Sequence, residues 1–292
     1  MLDILNIILP AFVAIFIGYI LGKITKMDMS VVVEVVFYVG LPALAFVSIL
    51  DKNIFLLDAT KVWAAAIMIV FGCGITAWII FKIIRQKHSG LYIPISIMNA
   101  LNIPFPIIYL VYGSEGLYAA TLFYIPNALL TYTLGIYIAS GKHWRESIKE
   151  VFKVPPFYAI LTGLLLNLFD VTVPELILKP LSFISMMVIP LLLLILGSNL
   201  SRVRITSLPT TLLASFLRVG TGLLFGFLTV NLFNLTGVLR SIVILNSAMP
   251  AAVNSSILAT KYKNEADLVS SVVFVTTIAS LVVIPFLLDV LS

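Results

Sequence analysis

Apolar residues run along this chain in stretches of about 20, the length a helix needs to cross the hydrocarbon of a bilayer. Polar residues gather in the short breaks between them. Ten such segments can be drawn, at 4–22, 31–50, 62–81, 92–111, 116–139, 156–173, 180–200, 208–231, 238–258 and 267–289. The sequence lacks the alternation of apolar and polar positions that barrel strands require. The pattern therefore predicts an all-α membrane protein of ten transmembrane helices. The first segment follows Asp3 rather than a basic stretch and has no small-residue cleavage site, so it reads as a span and not as a removable signal.

Two of the segments are interrupted. In the fourth, "NALNIPFP" (99–106) sets Asn99, Asn102, Pro104 and Pro106 inside an apolar run. In the ninth, "NSAMPAAVNSS" (246–256) sets Pro250 among Asn246, Ser247, Asn254 and Ser255. Proline removes a backbone donor and clashes with the preceding turn, and an asparagine amide finds no partner in hydrocarbon. Both segments are therefore expected to be broken helices, with Pro104, Pro106 and Pro250 at the breaks. Broken ends expose unpaired N–H and C=O groups, which are tolerated where they line a cavity. Helix N-termini favour anions, and asparagine both donates and accepts. Asn99, Asn102, Asn127, Asn246, Asn254 and Ser255 are the candidate ligand-binding side chains.

The breaks also suggest a repeat. Five segments fall in 1–139 and five in 156–292, joined by the basic, amphipathic stretch 140–155, which reads as a cytoplasmic surface helix. An odd number of spans per half inverts the second half relative to the first. "GLPALAF" (40–46) pairs with "VIPLLLL" (188–194), Pro106 with Pro250, and "SEGLYAATLFYIPN" (114–127) with "NEADLVSSVVFVTT" (264–277).

Charge refines the picture. Only 11% of the 292 residues are charged, against 61% hydrophobic, where soluble domains carry about a quarter charged. The net charge of +5 sits in loops: thirteen Lys and Arg fall on one side of the ten segments and four on the other. That split makes the rich side cytoplasmic and puts both termini outside; it is a topology signal, not a nucleic-acid surface. Arg218 stands near the middle of a span, in "TTLLASFLRVGTGLLFGFL" (210–228), with no acid nearby in sequence. A charge there costs at least a few kcal/mol and points to function, either balancing an anionic ligand or contacting the carbonyls of a break. Glu34, Glu115 and Asp289 lie near span ends, so no intramembrane carboxylate pair marks a cation site; proton or sodium coupling stays open. One cysteine, Cys73, excludes an internal disulfide and a cysteine metal cluster. No H-E-x-x-H, paired central aspartates or P-loop is present, so the reading is a non-enzyme without cofactor or metal.

The stretch "NALNIPFPIIYLVYGSEGL" (99–117) resembles the fourth-span signature of the auxin efflux carrier family, which includes plant carriers and bacterial organic-acid permeases. Asn99, Pro106 and Gly113 stand at the positions of that pattern. "GLPALAF" resembles the family's second-span motif. "YIPNALLTYTLG" (124–135), with Asn127 and Gly135, looks like its fifth span, and "AMPAAVNSSILATKY" (248–262) like its ninth. The long cytoplasmic loop of the plant carriers is missing, as in the bacterial type. The resemblance implies two inverted five-helix repeats crossing at helices 4 and 9. It also implies a scaffold of spans 1, 2, 6 and 7, a mobile unit of 3–5 and 8–10, elevator-like movement, and a homodimer in the cell membrane carrying small organic anions. The sequence departs from the pattern at Pro104, where a glycine is usual, at Asn102, where a bulky apolar residue is usual, and at Ala45, where plant carriers place a hydroxyl. A membrane receptor of the same fold that binds its ligand without moving it is the alternative.

Overall fold

The computed structural model describes residues 2–25, 29–50, 56–141, 155–201 and 205–291. The expected surface helix at 140–155 lies almost wholly outside them. Among the described residues the chain is helical and has no strand. Six stretches are long and apolar enough to cross a membrane: Ser30–Leu50, Leu57–Ile83, Pro104–Ser140, Glu175–Leu200, Leu208–Leu232 and Ala266–Leu291. Shorter apolar helices occupy Leu9–Ile24, Pro155–Leu168 and Gly237–Ser247.

In chain order the helices are α1 (Leu2–Ile24), α2 (Ser30–Val35), α3 (Leu41–Leu50), α4 (Leu56–Ile83), α5 (Tyr92–Ser96), α6 (Pro104–Leu130), α7 (Ile136–Ser140), α8 (Pro155–Leu168), α9 (Glu175–Ser185), α10 (Val188–Leu200), α11 (Leu208–Leu232), α12 (Gly237–Ser247), α13 (Val253–Lys261) and α14 (Ala266–Leu291). A π-helical turn at Val36–Gly40 joins α2 to α3, and another at Thr131–Gly135 joins α6 to α7.

Stretch 104–140 is two limbs, not one rod. Gly113 has φ 60° and ψ −147°, a region open essentially to glycine alone. A straight helix would hold Phe105 and Tyr124 roughly 28 Å apart at 1.5 Å per residue; their rings instead meet edge to face at 5.9 Å. The chain therefore folds back on itself at Gly113. No neighbour would touch a Cβ at that position, so the demand for glycine comes from the dihedrals and not from space.

Helix contacts sort into two groups. In the first, α1 lies along α10, and α3 packs on α8 and α9. The α1–α10 seam is backbone against backbone: a Cβ on Gly18 would come 2.2 Å from the carbonyl oxygen of Leu194, and one on Gly197 would overlap that of Ile15. Small residues permit such an approach, which in a bilayer replaces the hydrophobic effect as the source of helix association. Nearby, Asn167 Nδ2 donates to the carbonyl of Ile49 at 3.0 Å, fastening α8 to α3. In the second group, α11 packs on α4, α12 and α14, while α6 packs on α4 and α12. Large apolar side chains such as Phe16, Ile75, Trp78, Phe216 and Val282 point outward and stay exposed, as expected of faces that meet lipid.

Candidate functional site

Both interrupted segments break, and the breaks meet. Between α5 and α6 the backbone leaves the helix at Ile97 (φ −96°, ψ 116°). Between α12 and α13 it leaves around residues 249–252. The two extended pieces run antiparallel and pair at Met98 and Ala251. Asn99 N donates to Pro250 O at 2.8 Å, and Ala252 N donates to Ile97 O at 3.0 Å. Each break thus satisfies part of the other's exposed backbone.

Side chains satisfy more of it. Asn127 Nδ2 donates to Met98 O at 3.1 Å. Ala251 N donates to Thr276 Oγ1 at 3.1 Å. Asn99 Oδ1 accepts from the backbone of Asn102 at 2.9 Å and Leu101 at 3.4 Å, a local turn that leads into α6. Pro104 is the first residue of α6 and Pro106 the third; neither has an N–H to leave unpaired, as suits a helix start.

Arg218 on α11 is fully buried. Its Nη1 donates to Ile95 O at 2.8 Å and Ser96 O at 3.3 Å, and its Nη2 donates to Ser247 O at 2.7 Å. Those oxygens belong to the last residues of α5 and α12, where helix carbonyls lack intrahelical partners and the dipole is negative. One guanidinium therefore clamps the C-terminal ends of both interrupted helices. Of the two roles open in the sequence, the geometry provides the contact with the carbonyls of the breaks.

Beside the crossing lies a cavity of about 110 Å³. Asn99, Asn102, Asn127 and Asn254 line it, together with Met98, Ala252 and Val253 from the breaks. Asn99 Nδ2 and Asn127 Oδ1 are buried without a hydrogen-bond partner. The wall carries no charged side chain. The other candidates are placed elsewhere. Asn246 is fully buried, and its Nδ2 donates to Ile242 O at 2.9 Å on its own helix. Ser255 is buried with its hydroxyl unpartnered, outside the cavity wall. Pro250 lies in the break itself and accepts from Asn99, while Pro104 and Pro106 start the helix that follows the other break.

Sequence reasoning missed Asn199, Tyr124, Thr131 and Tyr132, which also line the cavity. Asn199 is the next-to-last residue of α10, at the end of an apolar run. Val36, Phe37, Thr131 and Tyr132 come from the two π-helical turns, and such turns recur at functional sites. No pattern of apolar residues announces them.

A family model described as a membrane transport protein matches residues 3–154 and 141–288. A protein of Methanocaldococcus jannaschii described as an uncharacterized transporter is 27% identical over 297 residues, covering 96% of each chain. Another, from Methanothermobacter thermautotrophicus, is 28% identical over 289 residues, covering 95% of each.

Proposed function

This chain belongs to the membrane transport protein family, that of the auxin efflux carriers, and on that premise we propose that it carries small organic anions across the cell membrane by alternating access. Ten crossings form two inverted five-helix repeats, 1–139 and 156–292, joined by 140–155, with both termini outside. The antiparallel crossing of the two breaks at Met98 and Ala251 supports this reading more than any other observation. Opposed half-helices meeting in mid-membrane are what an inverted repeat places at a transport site. The first packing group (α1, α3, α8–α10) serves as the scaffold and the second (α4–α7, α11–α14) as the mobile unit, in a homodimer with an elevator-like movement. The ligand sits in the cavity against Asn99, Asn102, Asn127 and Asn254.

The cavity wall is drawn from the helix ends nearest the basic loops: Val33 and Val36 after the first, Tyr132 before the linker, Asn199 before the loop at 202–204 and Ile257 before the turn at 262–265. In the proposed orientation this is the inward-facing state. Counterflow of labelled monocarboxylates and dicarboxylates in proteoliposomes tests the proposal: exchange is expected, and Asn99→Ala and Asn127→Ala are expected to lose it while eluting as folded protein. Binding without flux would make the chain a receptor instead.

A further inference from the structure

Among the described residues Arg218 is the one charged side chain that is buried, and it stands at the crossing. The two helix C-termini it clamps carry about half a negative charge each. Their sum is close to the single positive charge of the guanidinium. The two N-termini, those of α6 and α13, lie at the cavity: Asn102, just before α6, and Val253 and Asn254, at the start of α13, line it beside Asn99 Nδ2 and Asn127 Oδ1, which have no partner. Helix dipoles sum to zero over the whole crossing, so the crossing with its arginine carries a net charge of about +1. Arg218 is bonded to both broken helices and travels with them.

We infer that Arg218 sets the charge of the cargo: the site takes monovalent anions, small monocarboxylates or singly protonated dicarboxylic acids, and rejects dianions. The inference rests on the transport reading above. The guanidinium touches Ser96 O, and Met98, two residues on, lines the cavity. At most about 7.6 Å of chain separates their Cα atoms, so the charge lies on the order of 10 Å from a bound ligand. At an effective dielectric of about 20 that distance strengthens anion binding roughly tenfold to twentyfold. The attraction grows in proportion to ligand charge, but the cost of dehydration grows as its square. One positive charge offsets the first negative charge and leaves a second unpaired. A crossing loaded with a monoanion is neutral and moves through the bilayer without electrical work. The empty crossing moves as a cation, a step whose equilibrium shifts by up to about fiftyfold per 100 mV.

The test uses the purified chain and proteoliposomes. Acetate, lactate, pyruvate and indole-3-acetate are compared with malonate, succinate and malate by thermal shift at pH 8 and pH 5. Self-exchange of the labelled acid that shifts most is then followed at 0 and −100 mV, set with potassium and valinomycin. Expected are shifts by monocarboxylates at both pH values, shifts by dicarboxylates only at pH 5, and exchange rates equal within about twofold at the two potentials. Arg218→Gln loses roughly tenfold in monoanion affinity and Arg218→Lys keeps it. The wild-type exchange measurement decides the charge rule even where the glutamine variant does not fold. Dicarboxylates at pH 8 shifting as much as monocarboxylates, or exchange changing about tenfold with potential, would overturn the charge rule and leave transport standing. No shift and no flux with any acid would overturn the transport reading and this inference together.

Discussion

Gly222 lies one helical turn beyond Arg218 on α11, and both face the carbonyl oxygen of Ser247. A Cβ on Gly222 would fall 2.1 Å from that oxygen and 2.3 Å from Arg218 Nη2. The glycine is therefore the space into which the clamp fits. Gly222→Ala must push the guanidinium off the Ser247 carbonyl or push α12 away. A loss of about 1–3 kcal/mol of stability is expected, as for other overpacked positions, together with loss of exchange in vesicles. Gly220→Ala is the control: its Cβ would meet only the Phe216 ring, at 3.8 Å. Helix propensity then favours alanine by up to about 1 kcal/mol, and melting of the two variants in detergent should move in opposite directions.

Thr276 on α14 holds the other side of the crossing. Its Oγ1 accepts from Ala251 N, a fully buried donor, at 3.1 Å. Thr276→Val keeps the shape and removes the acceptor, which leaves that N–H without a partner at a cost of about 1–3 kcal/mol. Thr276→Ser restores the oxygen. The valine variant should melt lower than wild type, and the serine variant should recover most of the difference.

Away from the crossing, the Glu265 carboxylate joins two turns. One oxygen meets His88 Nδ1 at 2.5 Å, and the other accepts from Gly90 N at 2.9 Å, at the start of the helical run into α5. Asn264 beside it accepts from Ser89 Oγ and donates to the carbonyls of Ile138 and Ala139. The turn that presents these groups holds Lys263 and Glu265 at φ 55° and 51°, a conformation non-glycine residues adopt at a cost. Glu265 is partly exposed, so its hydrogen bonds are screened; Glu265→Ala is expected to cost about 1 kcal/mol, read as a lowered melting temperature. His88→Ala should cost less, because the Gly90 bond survives it.

Cys73 is the chain's one cysteine and is fully buried, which makes the wild type a quiet background for labelling. A maleimide should modify Asn199→Cys, on the cavity wall, far faster than Asn246→Cys, which replaces a fully buried side chain. A bound carboxylate should protect the first. Equal rates at the two positions would show that the cavity is not the route by which water reaches the crossing.

The helices were legible because their apolar runs are long: helix underlies every segment drawn from the sequence. The two breaks were legible as prolines and asparagines in apolar surroundings, and Arg218 as a charge where charge is costly. The residues that pair were not. Met98 and Ala251 have apolar side chains that blend into their segments, and their role is played by backbone groups every residue carries. The prolines marked each interruption, but only Pro250 marked the crossing point, beside Ala251; Pro104 and Pro106 come six and eight residues after Met98. Asn246 and Asn127 look alike in sequence. Only the direction of the helix decides that one amide turns to its own backbone and the other to a neighbouring break.

The glycine seam between α1 and α10 has a mechanical consequence. Where main chain rests on main chain, no layer of side chains can change rotamer, so the two helices have no surface on which to slip. That pair behaves as a solid beam. A change of shape is more easily taken up where side chains intervene, as along the boundaries that α6 shares with α1, α3 and α10 and that α14 shares with α1, and the beam is the reference against which displacement there would be measured.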